Sequence, residues 1–458
     1  MSVASFTMIA LLGLAPAADP SGLVEQLGSA RYAEREQAAT ALRGLGVAAL
    51  PALRTARSAR DAEVRTRAAA ILDHVESEQM VRPTLVDLDF QDGALPDVVK
   101  AIGERSQVNL VLQPEGNPEI WKGRKVTLKE DAPVPFWAAI DRLCAAGQLR
   151  HDQTSPTGLP VGRLPSMNLS MGGPQPTGPT VDSGPFRIVL FSVTHNREVL
   201  LQAGVRPVQA LRKKPMPAAL AAPIQTNVNE QFFFQMQVIA EPRLFLSQGG
   251  PLKLTEAADD KGQSLLLPSN DNQANQMVNQ GYLNPNRPQP IQLVGQLKYA
   301  EKPGKTIKTL KGSLPMSVAA RKDNPLVIHL AGAAGKTFRT EEATLIYHET
   351  KPDPNGQGPL VELTLRNHGG AYLGPNARAE MMAMHTMIAP QNQLEVLDAQ
   401  GKVLPYYNRN TSGQPGDTRL SLAIMNNGDG GAPATVRYYD LTRATTEAIF
   451  EYHDIPMP

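Results

Sequence analysis

The sequence predicts a multidomain chain with a short all-α repeat, a small α+β module of βαββα order, and C-terminal all-β sandwich-like domains. Three observations predict this fold class. Apolar residues recur at helical spacing in residues 20–79, helical and strand patterns alternate in residues 84–152, and short alternating runs fill residues 186–458. At 458 residues, the chain exceeds what one hydrophobic core usually supports.

The first residues predict an export signal. An apolar run that ends at Leu14 is followed by the sequence APA, the small-x-small pattern that signal peptidases accept. We therefore assign residues 1–17 to a signal peptide and expect an exported chain in the periplasm or cell envelope. A short buried helix is the alternative. No later segment has the length and apolarity of a membrane span, so we expect no integral membrane segment in the mature chain.

Residues 20–79 contain an internal repeat. The sequences ARYAEREQAATAL and ARDAEVRTRAAAIL share their opening and an Ala-rich close, and they follow one another at a period of roughly 30 residues. The order of elements in LPALRTARSARDAEVRTRAAAIL resembles that of HEAT-like repeats. Two such repeats bury little surface, so the resemblance implies that the pair docks on a neighbour. An ordinary four-helix segment is the alternative.

Residues 84–152 predict a compact α+β module. LDFQDGA predicts a strand and a turn, an apolar helical stripe runs from Leu95 to Ile102, and VNLVL and KVTL predict two further strands. A second helix is predicted in VPFWAAIDRLCAAG, with Gly147 as its C-terminal stop. MNLSM, further along the chain, has the pattern of a strand that completes a hairpin with QLRHDQ.

This order of elements resembles the short N-terminal domain shared by bacterial secretins and TonB-dependent receptors. The resemblance is carried by LDFQDGALPDVVKAIGERSQVNLVL, GRKVTL and APVPFWAAIDRLCAAGQLRH. It implies a periplasmic platform for protein contacts that carries no catalytic residues. The chain beyond Gly184 is too short and too interrupted for the membrane barrel of a receptor, so the module is expected here outside its usual context.

The remainder of the sequence predicts a linker and two β domains. Residues 153–185 are dense in Pro, Gly, Ser and Thr, which predicts a loop and linker. Beyond them, short alternating runs predict a sandwich-like domain over residues 186–322 and a second one over residues 323–458.

Two glycine-containing motifs are candidate ligand sites. GAAGKT, Gly332–Thr337, is similar to a phosphate-binding loop, but Leu330 occupies the position where that loop requires glycine. The residues after it predict a strand, where a phosphate loop must open a helix, so a turn is expected. DDKG, Asp259–Gly262, lacks the repeated acidic ligands of a calcium loop and predicts a hairpin turn.

Candidate catalytic and metal-ligating side chains lack the spacing that their chemistry requires. Histidines of the last domain could in principle converge on a metal with Glu349 or Asp454, but none of them forms a tightly spaced motif. These histidines are His329, His348, His368, His385 and His453. The only cysteine, Cys144, is expected to be a buried structural thiol. Trp137 is expected to pack, and Trp121 either packs or serves as a binding anchor. We therefore predict no catalytic, cofactor-binding or metal-binding residue.

Charge and composition narrow the function. With 45 Lys+Arg against 44 Asp+Glu, the chain has no long-range field that attracts nucleic acid or an anionic membrane. The sequence predicts a non-enzymatic protein-interaction or scaffold protein with protein partners, bound mainly through its N-terminal half. A carbohydrate- or surface-binding sandwich protein is the alternative, with few candidate aromatic residues, and an unrecognised hydrolase is a further one. The candidates are Tyr406, Tyr407, Tyr438 and Tyr439.

Overall fold

A computed structural model of the chain shows mostly β-strands in several sheets, with a small helical part at the N-terminal end. It describes residues 19–114, 117–151, 166–172, 178–202, 225–268, 290–353, 358–368, 393–414, 417–425 and 431–458. The chain divides into two compact units, Met1–Arg82 and Pro83–Pro458. The predicted fold class is thus confirmed at the level of a small helical part followed by an extensive β part.

The first unit consists of two helix pairs that repeat the same layout. Its helices are α1 Pro20–Gln26, α2 Tyr32–Leu45, α3 Leu50–Ala56 and α4 Ala62–Met80, with a 3-10 turn at Gly46–Ala49. Asp61 caps α4 by accepting hydrogen bonds from the backbone N–H groups of Glu63 and Val64. The apolar faces of both pairs meet in one core that includes Leu42, Leu53 and Ile71.

Equivalent arginines bind the turn before the long helix of each pair. Arg35 donates from Nη1 to the carbonyl oxygens of Ser29 and Ala30. Arg65 donates in the same way to Ala59 and Arg60. The internal repeat therefore extends from the sequence to individual hydrogen bonds, while membership of the HEAT-like family stays a prediction.

The second unit begins with the predicted α+β module. Its elements are β1 Leu85–Val86, β2 Asp89–Ala94, α5 Leu95–Ser106, β3 Asn109–Gln113, β4 Lys125–Lys129, β5 Val134–Pro135, α6 Phe136–Gly147, β6 Leu149–His151 and β7 Ser166–Met171. β1 pairs with β5 and β2 with β4, both antiparallel. β7 lies between β3, to which it is parallel, and β6, to which it is antiparallel. MNLSM therefore completes the hairpin with β6 from within the segment predicted as linker.

The two helices of the module pack their apolar faces into one core. Ile102 of α5 and Ile140 of α6 are fully buried there. Helix α6 ends as predicted at Gly147, but the residue in the left-handed conformation is Gln148, at φ 51°. Gly147 instead leaves room for a neighbour, because a Cβ there would lie 3.1 Å from Leu95 Cδ1 and crowd that side chain.

The first β-sandwich follows the module. The strands are β8 Thr180–Ser183, β9 Phe186–Gln202, β10 Gln225–Ala240, β11 Phe245–Gln248, β12 Lys253–Asp259, β13 Ile291–Leu297 and β14 Thr306–Arg321. One sheet has the order β13, β10, β9, β8, and the other contains β11, β14 and β12. β8 also lies in the segment predicted as linker, where it forms the edge of the first sheet.

The second β-sandwich has the same two-sheet construction. The strands are β15 Leu326–His329, β16 Thr337–Arg339, β17 Ala343–Pro352, β18 Pro359–Asn367, β19 Leu394–Leu397, β20 Val403–Leu404, β21 Tyr406–Gln414, β22 Asp417–Ile424 and β23 Thr435–Tyr438. One sheet has the order β16, β17, β18, β22, β21, and the other has the order β15, β23, β19, β20. The core between the sheets is apolar and includes Leu363, Val396 and Tyr406.

The two sandwiches share part of their strand topology. β8, β9, β10 and β13 have the same order and pairing as β16, β17, β18 and β22. The correspondence includes an irregularity, since a β-bulge falls at Phe191 of β9 and at His348 of β17, each five residues after the start of its strand.

The hairpin after β12 recurs after β19 with the same hydrogen bonds. Asp259 Oδ1 accepts from the backbone N–H groups of Lys261 and Gln263. Asp398 Oδ1 accepts from those of Gln400 and Lys402. The sequence pattern Asp-x-x-Gly thus marks the same turn in both sandwiches.

The last strand of the chain belongs to the first sandwich rather than to the second. β24, Leu441–Pro456, pairs antiparallel with β14 along its whole length. The predicted division at residue 322 therefore separates two strands that share a sheet. Local sequence patterns could not indicate this, because the pairing joins segments that are far apart in the chain.

The α+β module is joined to the first sandwich by a buried arginine. The Arg187 guanidinium, with only 4% of its side chain exposed, donates two hydrogen bonds of 2.6 Å to the Asp141 carboxylate. It donates two more to Asp182 and lies over the Trp137 ring. Burial alone would lower the pKa of Arg187, but the hydrogen bonds to Asp182 and Asp141 outweigh it and raise the pKa, so the guanidinium stays charged.

Candidate interaction surface

Two long strands of the first sandwich extend beyond the rest of their sheet. Strands β9 and β10 pair with each other as far as Gln202 and Gln225. β8 covers β9 only to Val189, and β13 covers β10 only from Phe232 onward. We call residues 196–202 of β9 and 225–231 of β10 the arm.

The second sandwich shows that the fold does not require the arm. Its equivalent hairpin, β17 and β18, ends where Pro352 lies opposite Pro359. Counted from the shared base of the two hairpins, the corresponding pair in the first sandwich is His195 opposite Phe232. The described residues beyond that pair form the arm, which the second sandwich lacks.

The arm has two strand edges without a described partner strand and some apolar surface. Among the described strands, none pairs with the outer edge of either arm strand. Val199 and Val228 lie directly opposite each other and are 51% and 49% exposed. Unpaired N–H and C=O groups on a strand edge accept a further strand, and exposed apolar side chains add contact area to such pairing.

An aromatic cluster holds the root of the arm. The His195 ring stacks on Tyr299 with centroids 3.6 Å apart, and Phe232 meets both rings edge-on. Glu230 Oε1 lies 3.0 Å from His195 Nε2. The arm therefore leaves the sandwich from a packed base, so its direction is fixed where it begins.

The four histidines of the last domain that lie in described residues do not converge. His348 and His368 each contact a threonine hydroxyl on their own sheet, and His329 contacts Thr435. His453 lies 2.9 Å from Glu451 on β24. His385 lies outside the described residues. Within the described part of the chain, no group of three or more His, Cys, Asp or Glu side chains is placed to hold a metal ion.

The two acidic residues considered with these histidines form ion pairs with lysines. Glu349 lies 3.4 Å from Lys351, and Asp454 lies 2.7 Å from Lys308. Both pairs are exposed, and each carboxylate lies on a strand rather than in a cleft lined by the histidines.

The two glycine-containing motifs lie in turns. Gly332–Thr337 connects β15 to β16, with positive φ at Gly332 and Gly335, and it leads into a strand. The Asp259 carboxylate also accepts from Gln263 Nε2 and from the backbone N–H of Gly304. Burial would raise the pKa of Asp259, but the hydrogen bonds from the Gln263, Gly304 and Lys261 backbones outweigh it and lower the pKa.

Cys144 and the two tryptophans are buried in the core of the α+β module. Burial raises the pKa of the Cys144 thiol to about 12, so the thiolate is strongly disfavoured. Trp137 packs there and donates from Nε1 to the Pro185 carbonyl oxygen, 3.1 Å away. Trp121 is only 3% exposed, so its side chain is not presented as a surface anchor.

The tyrosines do not form an exposed platform. Tyr406 and Tyr438 are buried, at 0% and 1% exposure. The Tyr406 hydroxyl donates to the Leu394 carbonyl oxygen, and the Tyr439 hydroxyl donates to Glu395. Tyr407 is partly buried on β21.

Sequence reasoning missed the arm and Arg187. The sequence predicts short runs here, whereas in the structure β9 spans 17 residues and β10 spans 16, about three times the usual strand length of about five or six. Arg187 had no sequence signal beyond the nearby Asp182, since Asp141 lies 46 residues away in the chain and reaches Arg187 only after folding.

No protein-family model matches the chain, and no curated protein matches it either. The resemblances to HEAT-like repeats and to the secretin/TonB module therefore stay predictions. None of the helices in the described ranges is long and apolar enough to cross a membrane.

Proposed function

We propose that the chain is a non-enzymatic, exported protein-interaction or scaffold protein of the periplasm or cell envelope, and that the arm is one of its contact surfaces. The observation that carries this proposal is the arm itself, which the second sandwich lacks. A partner that supplies an extended segment pairs with the backbone of the arm edge and covers Val199 and Val228.

The arm is a contact surface in addition to the N-terminal modules. The resemblances to HEAT-like repeats and to the secretin/TonB module support protein contacts through residues 20–152, and the arm extends these to the first sandwich. Both surfaces suit one kind of activity, which is binding without turnover.

The alternatives gain less support from the described residues. A carbohydrate-binding platform needs exposed aromatic rings, whereas Tyr406 and Tyr438 are buried. A hydrolase needs an acid or base that is free to act on substrate. The buried carboxylates Glu241, Glu362 and Glu395 are instead engaged by neighbouring arginines.

The turn of the second sandwich provides a short replacement for the arm. Replacing residues 196–231 with DPNGQG, the sequence of residues 353–358, shortens the first hairpin to the length of the second and keeps His195 and Phe232 in place. We expect this armless chain to fold and to lose a subset of the partners that the full chain captures by cross-linking in envelope extract.

Two further chains make the outcome decisive. A chain lacking residues 20–152 shows which partners bind the N-terminal modules. Val327→Asp, at a 44% exposed residue of the second sandwich, shows which partners are lost when a surface outside the arm is altered. Capture of every partner by the armless chain would exclude the arm as a contact surface.

Export is tested separately. N-terminal sequencing of the protein from its native envelope should give a start near Ala18, after the predicted cleavage site. An intact Met1 would contradict the exported location and leave the binding proposal to be judged by the capture experiment.

A further inference from the structure

β24 pairs with one edge of β14, and we call that edge the seat of β24. The second sandwich has an equivalent edge. In the second sandwich, β23 has β19 along one edge and β15 along the other. β15 directly precedes β16 in the chain. In the first sandwich, β12 lies along one edge of β14, and the place equivalent to that of β15 is taken by β24. The first sandwich is thus completed by β24, a strand that follows the second sandwich in the chain.

The seat recognises β24 through specific side chains. Phe450 lies directly opposite Gly312, and a Cβ at Gly312 would come within 2.7 Å of the Phe450 Cζ atom. The missing side chain of Gly312 therefore makes room for the ring. Tyr452 reaches the other sheet and donates from its hydroxyl to the Ile188 carbonyl oxygen, 2.9 Å away. An apolar strand without these two aromatic residues fills the seat less well.

A short hinge joins β24 to the second sandwich. Tyr439 and Asp440 are the only residues between β23 and β24. Asp440 accepts a hydrogen bond of 2.6 Å from the Thr340 hydroxyl, and it lies in a charged cluster with Glu342, Lys322 and Arg443. Burial raises the pKa of Asp440, so the hinge holds a carboxylate whose ionised form is disfavoured by its surroundings.

We propose that β24 exchanges between two copies of the chain, so that the β24 of each copy completes the first sandwich of the other. The partner that fits this surface is therefore a second copy of the chain, and the occupant is its segment Leu441–Pro456. This association does not depend on the arm.

The exchanged pair keeps the contacts between β24 and β14 that form within one chain. Every hydrogen bond and apolar contact that β24 makes with β14 within one copy is made again in the exchanged pair, so the balance depends on the hinge and on chain concentration. Short hinges that hold an unfavourable group favour such exchange. Exchange requires β24 to leave its seat transiently, as edge strands do in local unfolding.

Cysteine pairs report which copy supplies the strand. Ser313 on β14 lies opposite Ile449 on β24, and both side chains lie on the outer face of the sheet. The Ile449 N–H donates to Ser183 Oγ, away from β14, so this is a non-hydrogen-bonded pair. The Cα atoms of such a pair lie about 4.5 Å apart, within the range for a disulfide.

The experiment mixes two full chains, one carrying Ser313→Cys and the other Ile449→Cys, at high concentration under mild oxidation. We expect a disulfide-linked dimer. A chain carrying both substitutions should close an internal disulfide, which checks the geometry of the pair. A mixture of Ser313→Cys with His453→Cys controls for random collision, because His453 lies on the same strand face but opposite Thr309.

Two results would overturn the proposal. One is an internal disulfide in the double variant without a linked dimer in the mixture, and the other is equal linkage in the His453→Cys control. Native mass spectrometry of the unaltered chain, refolded at high concentration, gives an independent measurement. The exchanged dimer is expected there, and a purely monomeric chain at every concentration would refute it whatever the variants do.

Discussion

Arg187→Met should weaken the junction between the α+β module and the first sandwich. The substitution keeps much of the side-chain volume and removes the hydrogen bonds to Asp141 and Asp182 together with the stacking on Trp137. Because the Arg187 side chain is only 4% exposed, solvent screens these contacts little in the native protein. The two carboxylates are 53% and 35% exposed, so water can hydrate them once Arg187 is gone.

These exposures set the size of the effect. A hydrogen bond to a charged group contributes about 1.5–3 kcal/mol net, and breaking a fully buried ion pair costs about 3–5 kcal/mol. With partly hydrated aspartates, we expect Arg187→Met to lower the free energy of unfolding by about 2–4 kcal/mol. Arg187→Lys should cost less, because it keeps the charge and loses only the two-pronged geometry.

Urea unfolding followed by tryptophan fluorescence measures this loss, because Trp121 and Trp137 both lie in the core of the module. Arg366→Met is a matched control, since the Arg366 and Asp417 side chains form an ion pair while 55% and 51% exposed. Such pairs contribute about 0–1 kcal/mol. An Arg187→Met midpoint no lower than that of Arg366→Met would refute the reasoning about the buried arginine.

Three further predictions follow from burial and charge. Ile102→Asp should destabilise the module by several kcal/mol in the same urea assay, because it places an unpaired charge at a residue with 0% exposure. Cys144 should react with a thiol reagent at about pH 8 only after unfolding, and rapid labelling of the native chain would contradict its burial. Hydrogen bonds from Lys351 and Arg419 hold the pKa of Glu362 below its usual range. The ionised Glu362 therefore stabilises the fold above the unfolded-state pKa of about 4.3, and that contribution is lost as the pH falls through the lower folded-state value. Glu362→Gln should flatten the fall of unfolding free energy in acid, and an unchanged pH profile would contradict the assignment.

Local patterns predicted the elements whose partners lie nearby in the chain. The apolar stripe from Leu95 to Ile102 is buried as the helical spacing predicts, and the repeated Ala-rich segments form the helices α2 and α4. In these cases the periodicity of one segment determines which face is buried. Burial of Cys144 and Trp137 follows from the same reasoning, because both lie on the helix α6.

The relations between distant segments could not be predicted in this way. β24 has the alternation of an ordinary strand, and nothing in its own sequence distinguishes pairing with β14 from pairing with a strand of the second sandwich. Arg187 reads as an unremarkable charge near a strand start until Asp141 is brought to it. The arm could not be predicted from its own sequence either, because only the shorter hairpin of β17 and β18 shows where it begins.

The arm is also hard to explain as a contribution to stability. Residues of β9 and β10 below it, such as Phe232 and Phe234, are buried at 1% and 0% exposure and belong to the packed sheet. Beyond His195 the described side chains are exposed, and Val199 and Val228 remain about half accessible to water. Extending a two-stranded ribbon orders backbone at a cost of about 1–2 kcal/mol per residue, and isolated ribbons recover that cost only marginally. A partner that covers the ribbon restores the balance by burying the valines and pairing the free edge, which is the physical reason to look for the binding activity there.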